Sequence, residues 1–223
     1  MKGSGEATLR EIDRWDHGAG WMAYPDEQMR RASHAFEVDG EVWVVDPVDA
    51  EGLDDLLADL GAVAGVVILL DRHKRDSAAL ANRHDVAVHV PDWMDGVAED
   101  LDAPVERIHT ELADTGYGVH EVVNNRFWQE AALYGEDTGT LIVPESVGTA
   151  AYFTNADEPL GVHPMLRMLP PKQLRRLDPE RVLVGHGAGV HENAGTALRD
   201  AIDNSRSGAP GLYVKTVKNL VLG

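Results

Sequence analysis

From Gly65 to Leu70 the chain is continuously apolar, and at Asp71 it turns abruptly into Asp-Arg-His-Lys-Arg-Asp-Ser, residues 71–77. An apolar run of that length reads as a strand buried on both faces, which calls for a layer on each side of its sheet. A short helix from Asp76 to about Arg83 follows, opening with Asp76-Ser77-Ala78-Ala79-Leu80-Ala81. Strand-to-helix turns favour catalytic groups, because the strand fixes their aim and the helix start offers unpaired N–H donors. This turn carries both signs of charge, so the question is what it holds.

The flanking elements narrow the fold. Ser33 to Val38 alternates, Asp39-Gly40 is a two-residue hairpin signal, and Glu41 to Asp46 returns as a strand that Pro47 ends. Asp49 to Leu60 reads as an amphipathic helix on Leu53, Leu56, Leu57 and Leu60, with Asp49 as its cap. Val86 to Val90 is a further strand and Asp92 to Leu101 a helix. Gly118 to Asn124, Phe127 to Tyr134 and Thr140 to Val143 read as an antiparallel meander. A Gly- and Pro-rich loop over Asn155 to Pro164 leads to a helix over Met165 to Leu177. A strand over Arg181 to Val184 and a helix from about Glu192 to Asn204 then follow. The tail from Leu212 to Leu222 fits either helix or strand. Two β-rich blocks, each followed by αβ units, predict two sheets between helix layers. A single doubly wound sheet competes, but the opening hairpin and the meander oppose a purely parallel arrangement.

Composition sets the boundaries. At 223 residues with 43% apolar content the chain suits one globular domain over 1–223. No window reaches membrane-spanning length, and Met1 to Glu6 lacks a signal-peptide pattern, so a cytoplasmic protein is expected. Net charge is −18, with Asp over Glu 22 to 16 and Arg over Lys 15 to 5. Scattered surface carboxylates keep a protein soluble in concentrated salt, which screens their repulsion. The chain looks like that of an extreme halophile, an archaeon with a salt-rich cytoplasm. Such a surface repels phosphate backbones, so no nucleic-acid partner is expected. Cysteine is absent, which leaves His, Asp and Glu for any metal.

Four landmarks together resemble the metallo-β-lactamase fold superfamily over most of the length. They are the hairpin ending in Val44-Val45-Asp46-Pro47 and Ile68-Leu69-Leu70 with its charged turn. Then come Thr140 to Ser146 and Val182-Leu183-Val184-Gly185-His186-Gly187. The resemblance implies an αββα four-layer sandwich. In the family the charged turn reads T-H-x-H-x-D-H. Laid on it, Asp71 takes the Thr position, Arg72 and Lys74 the first two His positions, Asp76 keeps the Asp, and Ser77 replaces the last His. Glu145 stands where the family has a metal-bridging Asp, and His186 keeps the late Gly-His ligand. The intervening family His has no good counterpart, with His109 and His120 poorly placed. Arg has no lone pair and stays protonated, and Lys74 opposes a divalent ion, so a two-zinc site is not expected.

Three readings of the cluster remain open. In the first, His73, Asp76, Glu145 and His186 hold one zinc, iron or manganese ion, with Asp71 or His163 as a further ligand. The protein is then a hydrolase of a small molecule. In the second, Arg72 and Lys74 replace the metal, pairing with Asp76 and Glu145. The pocket then binds an anion, with or without His73 or His186 as a general base, or the protein is a non-catalytic scaffold. In the third, the charges form only a solvated salt-bridge network. Trp15, Trp21 and Trp43 read as packing residues, and Met165, Leu166, Met168 and Leu169 as the buried stripe of a helix.

Overall fold

Asp39 and Gly40 adopt φ of 53° and 86°, the doubly left-handed backbone of a tight two-residue hairpin turn. They join β3 (Ser33–Val38) to β4 (Glu41–Val45), where the alternating pattern predicts the pair. The computed structural model describes residues 6–222, with side chains described to residue 215. The start, which reads against a signal peptide, lies largely outside the described residues.

A hairpin of β1 (Arg10–Trp15) and β2 (Gly18–Met22), not foreseen in the sequence, adds to the edge of β3. Beyond β4 the sheet turns parallel through β5 (Ala62–Val67), β6 (Val88–Pro91) and β7 (Val105–Ile108). The seven strands lie in chain order, β1 to β7. Short helices α1 (Leu53–Ala58), α2 (Ser77–His84) and α3 (Asp95–Glu99) connect the parallel strands. The first helix is shorter than its leucine spacing predicts, because Gly52 at φ 84° starts it instead of Asp49.

The second sheet has the order β13-β10-β9-β8, built from β8 (Tyr117–Asn125), β9 (Trp128–Gly135), β10 (Thr140–Val143) and β13 (Arg181–Val184). A two-stranded ribbon of β11 (Val147–Gly148) and β12 (Gly161–Val162) lies between β10 and β13 in the chain. Period-two alternation divides the second sheet's side chains between two cores. Leu133, Ile142 and Leu183 join the core shared with the first sheet. Ala132, Leu141, Val143, Val182 and Val184 join a second core with α4 (Ala194–Asp203). Two sheets back to back with helices outside give the four-layer αββα sandwich.

One predicted helix is replaced. The helix over Met165 to Leu177 is instead two 3₁₀ turns, Pro164–Leu166 and Lys172–Arg176. Pro170 and Pro171 lie between them and cannot donate to a continuing helix. Met165, Met168 and Leu169 are consequently exposed, where the stripe was expected to be buried. The ambiguous tail is helical within α5 (Ser205–Leu222). No described helix is long and apolar enough to cross a membrane.

Candidate metal centre

The parallel pair β10 and β13 aligns Val143 with Val184. Two residues farther along each chain stand Glu145 and His186, so neighbouring strand ends carry one carboxylate and one imidazole. Crevices at the carboxyl ends of strands are where α/β sheets bind ligands. Gly185 permits the close approach, since a Cβ there would lie 2.3 Å from the carbonyl oxygen of Pro144. A strap over residues 29–32 closes on the other side. Ala32 N–H donates to Gly185 O and Gly187 N–H to Arg30 O, at 2.9 Å each.

The charged turn arrives from the first sheet. Ile68 still bonds β6, but Ala131 N–H donates to Leu69 O and Asp71 N–H to Gln129 O, so the chain crosses onto β9. There it meets Glu130, whose side chain is wholly buried. One Glu130 oxygen accepts the N–H groups of Glu145 and Ser146 at 2.8 and 2.7 Å. The other accepts Ser146 Oγ and Trp128 Nε1 at 2.6 and 2.8 Å. Glu130 thereby ties β9 to the backbone that carries Glu145.

His73, Glu145 and His186 converge: each offers one ligand atom, and these lie within 4.8 Å of one another. The protonation of both imidazoles follows from their partners. A guanidinium can only donate, so His73 Nε2 accepts from Arg75 Nη2 at 3.3 Å and Nδ1–H donates to Asp46 Oδ2 at 3.0 Å. His186 Nδ1–H donates to Met29 O at 2.8 Å, which leaves its buried Nε2 lone pair with no hydrogen-bond partner. Burial, reinforced by neighbouring positive groups, holds both imidazoles well below their ordinary pKa and so neutral. Burial also lifts Asp46 to about 7 against the pull of Arg75 and the Leu69 N–H.

Glu145 is buried, which raises its pKa, while Arg72 opposes the rise. Arg72 Nε donates to Glu145 Oε2 at 2.9 Å, Nη1 reaches Asp71 at 3.3 Å, and the guanidinium lies 4.2 Å over the Trp128 ring. His163 stands behind the carboxylate. Its Nδ1 accepts from Met165 N–H, so Nε2 carries the proton and faces Glu145 Oε1 at 3.6 Å. His163 thus turns a protonated nitrogen toward Glu145, beyond hydrogen-bond distance, and is not among the three groups that converge.

The remaining sequence candidates lie elsewhere. Asp76 Oδ2 accepts from Asp49 N–H at 2.9 Å and clamps the turn to the segment after β4. It is not among the three groups that meet. Lys74 Nζ pairs with Asp100 at 2.6 Å, away from Glu145. His109 pairs with Asp92, and His120 lies beside Tyr134 on the second sheet. Sequence reasoning gave Asp46, Glu130 and Arg75 no part in holding the ligand candidates in place. Glu130 left one trace, since its alternation with Trp128 puts both side chains on one strand face. The inward turn of Arg75 has no sequence signal.

The groups fit a single divalent ion. Two neutral imidazoles and one carboxylate form a donor set used by catalytic zinc, which keeps a fourth position open. Each ring's other nitrogen is anchored to an acceptor, as metal-bound histidines require. Tetrahedral bonds of about 2.0–2.1 Å put ligand atoms about 3.3 Å apart, so closure by no more than about 1.5 Å is needed. The adjoining cavity of ≈590 Å³ is lined by Arg31, Arg72, Lys74 and Arg75 against Asp76 and Glu145. Within a chain of net charge −18 this hollow is locally positive. A second hollow, beside α1, carries Asp49, Glu51, Asp54 and Asp55 with Arg83, and no comparable cluster is found there among the described residues.

No protein-family profile matches the chain, and no curated protein matches it. Solved structures do. The DIM-1 metallo-β-lactamase exposed to ceftazidime superposes with TM-score 0.63 at 11% identity, covering 91% of this chain and 100% of that one. VMB-1 gives 0.64 at 12% identity, covering 92% and 100%. The FIM-1 metallo-β-lactamase from Pseudomonas aeruginosa, in its mono-zinc form, gives 0.61 at 6% identity, covering 92% and 97%. At these identities the likeness is one of fold: the chain has the metallo-β-lactamase fold.

Proposed function

We propose that this protein is a hydrolase of a small molecule that uses a single divalent ion, zinc, iron or manganese, held by His73, Glu145 and His186. The observation that carries this reading is the pair of imidazoles whose Nδ1–H groups face Asp46 and Met29. With Nδ1 of each engaged as a donor, Nε2 carries the lone pair of each ring, in a group that also includes Glu145. When bound, the ion supplies Lewis-acid polarisation of an ester, amide or phosphoryl group and an activated water. The protein's own groups do the rest. Burial keeps both imidazoles unprotonated, Arg72 orients Glu145, and the cationic cavity wall draws an anionic substrate inward. The reading takes residues 1–223 as one cytoplasmic, salt-adapted domain of archaeal halophile type, with no nucleic-acid or membrane partner.

The test is metal analysis of protein purified without chelator in high salt. One stoichiometric ion in the wild type, lost in His186→Ala, supports the reading. Metal-free wild type at saturating zinc overturns it.

A second reading has its own support. Arg72 bonds Glu145 and Arg75 bonds His73, so cations already engage two of the three groups. On this reading the protein is a non-catalytic anion binder in which guanidinium groups stand in for the metal. Lys74, paired with Asp100, takes no part. Carboxylate or phosphate binding by metal-free protein, lost in Arg72→Ala, favours it.

A further inference from the structure

The four cations of the cavity are not equivalent. Arg31 pairs with Glu27, Arg72 with Glu145 and Asp71, and Lys74 with Asp100. The hydrogen bonds of Arg75 all go to neutral acceptors. Nη1 donates to Ala32 O at 2.6 Å and Asp46 O at 2.7 Å, with Ser33 Oγ farther off at 3.5 Å. Nη2 reaches His73 Nε2 at 3.3 Å and Gly185 O at 3.4 Å, and the buried Nε has no partner. The backbone of Arg75 sits at φ 42°, a conformation non-glycine residues rarely adopt, and from it the side chain turns inward. Burial lowers its pKa only to about 10, so the guanidinium stays charged at neutral pH. A part-buried cation whose hydrogen bonds go to neutral acceptors is costly, and only the nearby carboxylates of Asp46, Glu145 and Glu27 offset that cost.

The acceptor at Nη2 is the lone pair of His73 that a metal ion would need. One lone pair cannot serve both. We propose that Arg75 is an internal cation that holds the metal position closed, competing with a divalent ion for Nε2 of His73. The inference rests on the reading of His73, Glu145 and His186 as a metal site. Metal entry requires Nη2 to leave His73, while the bonds of Nη1 to Ala32 and Asp46 hold the other arm of the guanidinium. In the closed state Arg75 supplies positive charge beside Asp46 and Glu145, so the site stays ordered without an ion. The protein then takes up metal only when the supply outcompetes its own arginine.

The test titrates full-length wild type, Arg75→Gln and Arg75→Lys with zinc alone, against a chromogenic chelator in high salt. Arg75→Gln removes the charge and keeps one amide for the Ala32 and Asp46 carbonyls. It is expected to bind zinc at least tenfold more tightly than wild type, with Arg75→Lys in between. In wild type labelled with ¹⁵N-arginine, the Nε–H signal of Arg75 is expected to move as zinc binds. If Arg75→Gln does not fold, this spectrum and Arg75→Lys carry the test. Equal zinc affinity in wild type and the variants, or zinc saturating wild type with the Arg75 signal unmoved, overturns the competition and leaves the metal site standing. Zinc bound by none of the three proteins overturns both.

Discussion

His163 is enclosed by Trp128, Tyr152 and Phe153, with ring centroids 4.9–5.4 Å away. Burial holds its pKa down to about 4. In the unfolded chain the same group takes up a proton near its ordinary 6.5, while the folded protein refuses it. Stability contributed by His163 is therefore present above pH 6.5 and is lost as pH falls toward 4. The loss reaches about 2 kcal/mol by pH 5. His163→Gln has no such titration, so its stability deficit, read from denaturant midpoints, should be smaller at pH 5 than at pH 7.5. A constant deficit would contradict the buried neutral imidazole. Glu130 poses the complementary case. Glu130→Ala strands the buried N–H groups of Glu145 and Ser146, and should cost about 3 kcal/mol. Arg72→Ala should lower the melting temperature by releasing Glu145 from its partner, and an unchanged melt would count against the pair. At this scale the sequence exposed the ligand candidates but not their surroundings. His73, Glu145 and His186 were legible as donor types in the right order. Arg75 was not, because residue type does not reveal the backbone at φ 42° that sends it to Ala32, Asp46 and His73 while Lys74 beside it pairs with Asp100.

The geometry of the centre belongs to the elements, and above all to the packing of β10 against β13. Gly185→Ala would drive its Cβ into the carbonyl oxygen of Pro144 and force the two strand ends apart. The expected cost is about 1–3 kcal/mol. A loss of zinc affinity of at least tenfold should accompany it, because His186 moves away from Glu145. Zinc affinity unchanged in a destabilised Gly185→Ala protein would show that strand register does not build the site. The hairpin at Asp39-Gly40 and the central meander were readable from alternation and turn residues, since those signals act locally. The β1–β2 hairpin was missed because its strands carry no clean alternation. Two prolines overrode the apparent helical stripe at Met165 to Leu169.

For the whole molecule, charge is the governing quantity. With 38 acidic against 20 basic residues, surface repulsion opposes the folded state whenever salt is dilute. The midpoint of thermal unfolding should rise with potassium chloride, and structure should be lost on dilution toward low ionic strength. Cooperative folding retained in dilute buffer would reject salt adaptation. The fold class was legible because layer order depends on the succession of elements, which turn residues and apolar runs reveal. The centre was only half legible, because it is assembled from strand ends far apart in the chain. The direct test of a single-ion centre is a crystal grown with zinc and mapped by anomalous scattering. One peak within about 2.0–2.2 Å of Nε2 of His73, Nε2 of His186 and a Glu145 oxygen is the expected result. Two adjacent peaks, or none with Arg72 still on Glu145 and Arg75 still on His73, would contradict it.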